Sequence, residues 1–314
     1  MTARPSPTDR HVILGAGPVG RAVADELVHR HLDTAPVIVS RSGTTLPGTS
    51  ARAADLTDPA SAEDALADAD IVYQCSQPEY HRWPEEFPAL QASIADAATA
   101  AGATLVVADN LYGYGPVDGP LHEGLPLVAS GRKGHTRAAM WVDLERRHTA
   151  GDLAVVAARA ADFYGPHVLG SAFGERLFGR LVDGKRPEVP GDPHTRHSVS
   201  YVPDVAAAMV RLGAEPETWG RAWHVPHAPA VTGEAFVRLA AEIAGTPTEV
   251  AAVGRAKLRL AGLFVPGARE MVEMLHEFDR DFVVDDTAYR SRFDAAPTPL
   301  ADGIAATVDW YRSR

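Results

Sequence analysis

The chain has 314 residues, 46% of them hydrophobic, with 30 lysines and arginines against 41 acidic residues and a formal net charge of −11. A chain this long buries a substantial core, as one large domain with a lobe or as two ordinary domains, and an acidic chain without a lysine-rich run disfavours nucleic acid and anionic membrane surfaces as partners. The single cysteine, Cys75, excludes an intrachain disulfide framework and a cysteine-built zinc cage, which fits a reducing compartment and predicts a cytoplasmic protein.

The opening MTARPSPTDR is polar and proline-bearing, so a frayed terminus is expected there, and no later apolar run has the length of a membrane span. From residue 11, short β-branched runs alternate with helical stretches: HVILGAG, RAVADELVHRHL, APVIVSRS, ADIVYQC, ATLVVADN and DLAVVAARAADFYG. Continuous apolar runs suit strands buried on both faces, and strand–helix alternation implies right-handed crossovers. The fold class expected is therefore α/β, a doubly wound parallel sheet. Beyond residue 166 the texture turns to glycine, proline and histidine, RAWHVP reads as one more strand, and residues 232–278 read as a second helical region. The expected division is a dinucleotide-binding domain over 1–166, with 199–226 returning to the sheet, and a substrate lobe from 167–198 and 227–314.

The first strand–helix junction carries Gly15, Gly17 and Gly20 in G-x-G-x-x-G spacing, with Pro18 and Val19 between. The first glycine permits a tight turn, the second lets a pyrophosphate approach the backbone, and the third lets helix and strand pack closely. The phosphate then meets free N–H groups at the helix N-terminus. About twenty residues on, an NAD site would present an acid, but this chain has Ser40, Arg41 and Ser42. A guanidinium pairs with a 2′-phosphate, so the cofactor expected is NADP; the alternative for Arg41 is a solvated surface residue.

GAGPVG, AADLTDPAS, DADIVYQCS, LYGYGPVDGPLHE, RAADFYGP, SVSYVPDVAAAM and TVDWYR occur in that order. Together they resemble an extended, atypical short-chain dehydrogenase/reductase of the NAD-dependent epimerase/dehydratase type, over nearly the whole chain. The resemblance implies a Rossmann domain, with Asp55 and Leu56 beside the adenine, Ser76 in the cofactor cradle, Phe163 and Tyr164 near the nicotinamide, and a monomer or homodimer acting on a small molecule.

The same resemblance implies a Ser or Thr at the end of the fifth strand and a Tyr and Lys one helical turn apart. Asp109 and Asn110 fall at or beside the hydroxyl position if Tyr114-Gly115 is the family's Tyr-Gly pair, and GRKGHTRAAM puts Lys133 and Arg137 where the Tyr and Lys belong. Four residues apart, they share a helix face. Arg137 is suited to the cofactor ribose but keeps its proton, so Lys133, Tyr112 and Tyr114 are the candidate proton donors. Three functions remain open: an NADPH-dependent reductase of a carbonyl or imine, a redox-neutral epimerase or lyase, and a non-catalytic NADP(H) sensor. Where nucleotide-sugar members hold a phosphate-binding Arg, this chain has His197 with Arg196 beside it, which disfavours a nucleotide-sugar substrate. Trp223 and Phe264 are candidate cleft residues, with core or subunit contact the blander reading for the segment around Phe264. The pairs His194/His197 and His224/His227 lack a third ligand, so no metal is expected.

Overall fold

The computed structural model describes residues 8–246, 249–264 and 266–314; the N-terminal stretch expected to fray falls largely outside them, in residues 1–7. Seven parallel strands form the central sheet: β1 (His11–Leu14), β2 (Val37–Ser40), β3 (Ser50–Ala53), β4 (Ile71–Gln74), β5 (Thr104–Asn110), β6 (Val155–Ala160) and, after the short β7 (Asp162–Tyr164), β8 (Glu188–Pro190), β9 (Arg196–His197) and β10 (Val199–Tyr201), the closing β11 (Ala222–His224). Two further short strands, β12 (Val231–Thr232) and β13 (Ala251–Val253), pair with β9 and β8. The sheet order is β11-β6-β5-β4-β1-β2-β3. The direction of winding reverses between β1 and β4, and such a switch point opens a crevice at the strands' carboxyl ends.

The helices are α1 (Pro18–His29), α2 (Pro59–Leu66), α3 (Trp83–Ala101), α4 (Arg132–Thr149), α5 (Arg180–Val182), α6 (Val202–Gly213), α7 (Gly233–Ala244), α8 (Arg255–Ala261), α9 (Pro266–Met274), α10 (Thr287–Phe293) and α11 (Leu300–Ser313). Val72, Leu105, Val107, Val155 and Ala157 face α2, α3 and α4, while Ile13, Tyr73, Val106, Val156 and Ala158 face α1 and α6. Burial on both faces is why these strands read as continuous apolar runs rather than alternating ones. β3 is the exception. Its sequence SARA is mostly exposed at the sheet's edge and carries no β-branched signal, so only pairing with β2 makes it a strand.

A separate core gathers Phe173, Phe178, Val189, Phe236 and Phe278 with α7 and α11, and it meets the sheet where His197, stacked on Phe278, reaches Asp162 just past β6. No helix among the described residues is long and apolar enough to cross a membrane.

Candidate active site

The glycine spacing after β1 builds a cradle at the switch point. Gly15 has φ +104°, and a Cβ there would come within 3.1 Å of the Ser76 backbone, so the ends of β1 and β4 nearly touch. Gly17 precedes α1, whose first turn holds Pro18 and the buried Val19, and a Cβ on Gly17 would meet nothing within 4 Å. A Cβ on Gly20 would lie 1.9 Å from the Gly15 carbonyl oxygen. These are the three distinct glycine roles of a dinucleotide cradle. Ser76 Oγ and both polar atoms of Gln74 are buried without hydrogen-bond partners beside it. Open space before a helix N-terminus and orphaned polar groups at the strand ends fit a dinucleotide.

Arg41 and Ser42 follow β2 in a turn where Ser42 Oγ meets Thr44 Oγ1 at 2.8 Å and Ser40 Oγ accepts from the Thr44 N–H. Arg41 is exposed and forms no ion pair with the described residues. Asp55 accepts from the Thr57 hydroxyl and N–H, which hold its carboxyl below the ordinary range, while Leu56 beside it is buried.

At the ends of β5 and β6 the side chains form a buried charge network. The register places Asp109 beside Arg159. Arg137 Nε and Nη2 and Arg159 Nε all donate to the Asp109 carboxylate, Arg159 at 2.8 Å. Burial alone would raise the Asp109 carboxyl, but the two guanidiniums overcome it and hold the group below the usual carboxylate range. Arg159 Nη1 donates to the Tyr114 hydroxyl at 2.9 Å, which in turn meets His224 Nε2 at 2.9 Å. His224 Nδ1 faces the Asp285 carbonyl at 3.0 Å, and burial pushes this imidazole down to about 4.

Several expectations are corrected here. Asp109 is an ionised structural anion between two arginines and is not free to exchange a substrate proton. Tyr114 is fully buried with its hydroxyl engaged on both sides, which removes it as a proton donor. Arg137 turns most of its donors to Asp109 and the Ala108 carbonyl and stacks 4.7 Å from the Phe87 ring, leaving only Nη1 without a partner. Its principal partner is thus Asp109 rather than a ribose. Lys133 is 0% exposed and ion-paired to Glu270 of α9, with Nζ 4.5 Å from the Tyr80 ring centroid, while its backbone N–H donates to Glu273 at 2.9 Å. The lobe therefore clasps Lys133, and an ammonium held by a carboxylate is poorly placed to face a substrate.

On the lobe side, His197 is stacked on Phe278 (4.6 Å) and Phe282 (4.9 Å), with Nε2 2.8 Å from Asp162 Oδ2. Arg196 points away and pairs with Asp281 at the surface, so the register slip that would let it replace a phosphate clamp does not occur. Trp223 packs on Tyr289 and Phe293 in the core under α10, not in the cleft. Phe264 is 84% exposed at the bend between α8 and α9, so its ring stands in solvent rather than against other side chains. Tyr164 is buried against Tyr201 and Phe236 in the lobe core, whereas Phe163 is half-buried at the sheet edge.

The tertiary structure sets polar groups at consecutive strand ends: Tyr80 after β4, Asn110 at the end of β5 with Tyr112 just beyond it, and Asp162 after β6. The Tyr80 and Tyr112 hydroxyls are 3.4 Å apart, and Asn110 Oδ1 accepts from the Tyr112 N–H. Burial pushes both phenols well up, so they remain protonated. Tyr80, Asp162 and Glu270 are not among the residues the sequence singles out. For Tyr80 and Asp162 the signal is available, since ligands of open α/β sheets bind beyond the strands' carboxyl ends; for Glu270, more than a hundred residues beyond Lys133, there is none.

A model of the NAD dependent epimerase/dehydratase family matches residues 11–225, two thirds of the chain. The chain belongs to that family. Among curated relatives it is 27% identical over 228 residues to a dTDP-glucose 4,6-dehydratase of Streptomyces griseus, covering 70% of this chain but only 62% of that protein. Its fold is similar to that of a UDP-glucose 4-epimerase of Thermotoga maritima (17% identity, TM-score 0.78, 97% and 99% of the two chains covered). It is equally similar to a dTDP-glucose 4,6-dehydratase of Bacillus anthracis solved with NAD (15% identity, TM-score 0.78, 98% and 97% covered). Family membership and the cradle together make a nicotinamide dinucleotide the cofactor class.

Proposed function

We propose that this epimerase/dehydratase-family protein catalyses a redox-neutral rearrangement, an epimerisation or an elimination, of a sugar-like hydroxylated substrate. The observation that carries the reading is the row Tyr80, Tyr112 and Asp162 at the mouth of an intact dinucleotide cradle, in a chain whose relatives are named as dehydratases of an activated sugar. When bound, the dinucleotide supplies reversible hydride exchange with a substrate carbinol. The chain's own part is to seat the pyrophosphate over Gly15 and Gly17, to offer Ser76 and the free Nη1 of Arg137 as donors nearby, and to present protonated phenols to the substrate oxygen. His197, stacked and hydrogen-bonded to Asp162, is not free to bind a phosphate, so this wall of the cleft meets the sugar ring rather than a diphosphate.

The test is incubation of the full chain with dTDP-glucose and NAD+ or NADP+. Expected is a sugar product of altered mass or configuration with no net change in nicotinamide absorbance. Stoichiometric consumption of reduced dinucleotide with a panel of small carbonyls, and no sugar conversion, would overturn the proposal in favour of a reductase.

That second reading, an NADPH-linked reductase, is favoured by one observation: the Arg41–Ser42–Gly43–Thr44 turn offers a free guanidinium and hydroxyls where a 2′-phosphate would lie. NADP(H) is accordingly expected to bind more tightly than NAD(H), by roughly ten- to a hundredfold for one charge-assisted pair, and Arg41→Ala should erase the difference. Titration of both cofactors by nicotinamide fluorescence checks this, and equal affinities in the unmodified protein would contradict it.

A further inference from the structure

The net charge of −11 disfavours an anionic surface for the chain as a whole, but the charge is not spread evenly. Between Glu249 and Glu270 the sequence holds no acidic residue, while Arg255, Lys257, Arg259 and Arg269 all fall there. This stretch carries α8 and the start of α9, and its bend holds apolar side chains out in solvent. Leu260 is 66% exposed, Leu263 73% and Phe264 84%, so three of the six large apolar side chains exposed among the described residues lie within five positions. Scattered exposed apolar residues need no explanation, whereas a contiguous group marks a contact surface.

The local backbone sets the three on one side. The Leu263 N–H donates to the Leu260 carbonyl at 3.3 Å and the Phe264 N–H to the Ala261 carbonyl at 3.0 Å, which continues α8 as a further helix-like turn. Residues three and four apart then share a face, so Leu260, Leu263 and Phe264 cluster, with Lys257 three positions before Leu260 and Arg259 four before Leu263. Arg269 reaches the same place from the second helix: a Cβ on Gly262 would lie 2.8 Å from the Arg269 Cα. Arg259 and Arg269 are exposed and make no ion pair with the described residues. Arg255 is 3.6 Å from Asp279, and Lys257 Nζ is 3.5 Å from the Ala252 carbonyl oxygen. The tip has nothing to fold back onto, because the inner sides of both helices are taken. Leu258, Ala268 and Leu275 form a small core of their own, and Glu270 and Glu273 are held on Lys133.

We propose that this tip is a docking site for a bilayer surface bearing anionic headgroups. Leu260, Leu263 and Phe264 would enter the boundary between headgroups and acyl chains, while Lys257, Arg259 and Arg269 meet the lipid phosphates and carboxylates. A protruding tip of three side chains buries far less than the roughly 800 Å² per partner of a stable protein interface. Interfacial membrane binding needs only a few apolar side chains in the boundary with basic ones beside them, and the two contributions add. The contact is peripheral, since no helix among the described residues is long and apolar enough to cross a membrane. Docking here is separate from the chemistry of the cleft and holds whichever reaction occurs there.

The experiment is co-sedimentation of the full chain with vesicles of phosphatidylcholine alone and with vesicles containing about one quarter phosphatidylserine. The unmodified protein is compared with Leu263→Ser/Phe264→Ser and with Arg259→Ala/Arg269→Ala. All the replaced side chains are exposed, so thermal unfolding should be unchanged in both variants. Expected is binding at least about tenfold tighter to the anionic vesicles, weakened as ionic strength rises toward about 1 M. The apolar variant should bind about tenfold or more weakly, and the arginine variant about fivefold more weakly for each cation removed. Affinity for anionic vesicles within about twofold of that for neutral ones overturns the proposal, as does anionic-vesicle binding that survives unchanged in either variant. Absence of vesicle binding, with a lipid-free dimer that Leu263→Ser/Phe264→Ser converts to monomer, overturns it in favour of a second copy of the chain as the occupant.

Discussion

Replacing Asp109 by alanine should lower the unfolding free energy by about 3–5 kcal/mol, the cost of leaving buried charge uncompensated. Asp109, Arg137 and Arg159 have side chains that are almost wholly buried, and the carboxylate is the only anion in contact with either guanidinium among the described residues. Without it, the Arg137 guanidinium of α4 and the Arg159 guanidinium of β6 face each other at the end of β5, with Phe87, Trp141 and Tyr114 around them. For a chain of this size the loss corresponds to a fall in Tm of roughly 5–8 °C, against a total stability of only about 5–15 kcal/mol. The sign with pH follows from the direction of the shift. Asp109 is held below its ordinary range in the folded state, so its contribution is present above that range and is lost as acid protonates it. Thermal unfolding at neutral pH decides the matter, and a Tm within about 2 °C of the unmodified protein would show that the network is dispensable. Replacing both Asp109 and Arg137 with apolar residues should cost less than Asp109→Ala alone, because one stranded charge is then removed.

Gly20→Ala should abolish dinucleotide binding, with an affinity loss of roughly a hundredfold or more, some 2.8 kcal/mol. The added methyl would sit 1.9 Å from a backbone oxygen, and backbone, unlike the end of a flexible side chain, yields only if the turn itself opens. Opening it moves Gly15, and with it the approach of β1 to Ser76 on β4. Gly17→Ala provides the contrast. Its methyl meets nothing in the protein, so the fold and Tm should be unchanged while affinity still falls, because the methyl occupies the space through which a phosphate approaches. Titration with NADH or NADPH alongside thermal unfolding separates the two, and Gly20→Ala binding as tightly as the unmodified chain would refute the close-packing account.

Much of the domain was legible because its signals are local. The strand–turn–helix with Gly15, Gly17 and Gly20 lies within ten residues, and β1, β4, β5 and β6 announce themselves as buried apolar runs. β3 was not legible, because an exposed edge strand of small residues owes its existence to the neighbouring β2 and not to its own side chains. Arg159 was the one missed residue of the charge network with a sequence signal. A lone guanidinium in the otherwise apolar VVAARA has to find a buried anion, and the register with β5 supplies Asp109.

The sequence by itself determined the sheet, its cofactor cradle and the placement of Lys133 and Arg137 on one face of α4, since spacing along a helix or through a tight turn follows from local geometry alone. Only the tertiary structure decided what those two cations do. Arg137 is claimed by Asp109 and Lys133 by Glu270, and the polar groups left at the strand ends are Tyr80 and Tyr112, in contact with each other, and Asp162, held by His197. The physical reason is that a charge taken out of water must be paired at contact distance. Its partner is chosen by which distant segment folds over it, and a helical repeat carries no record of a glutamate 137 residues further along the chain.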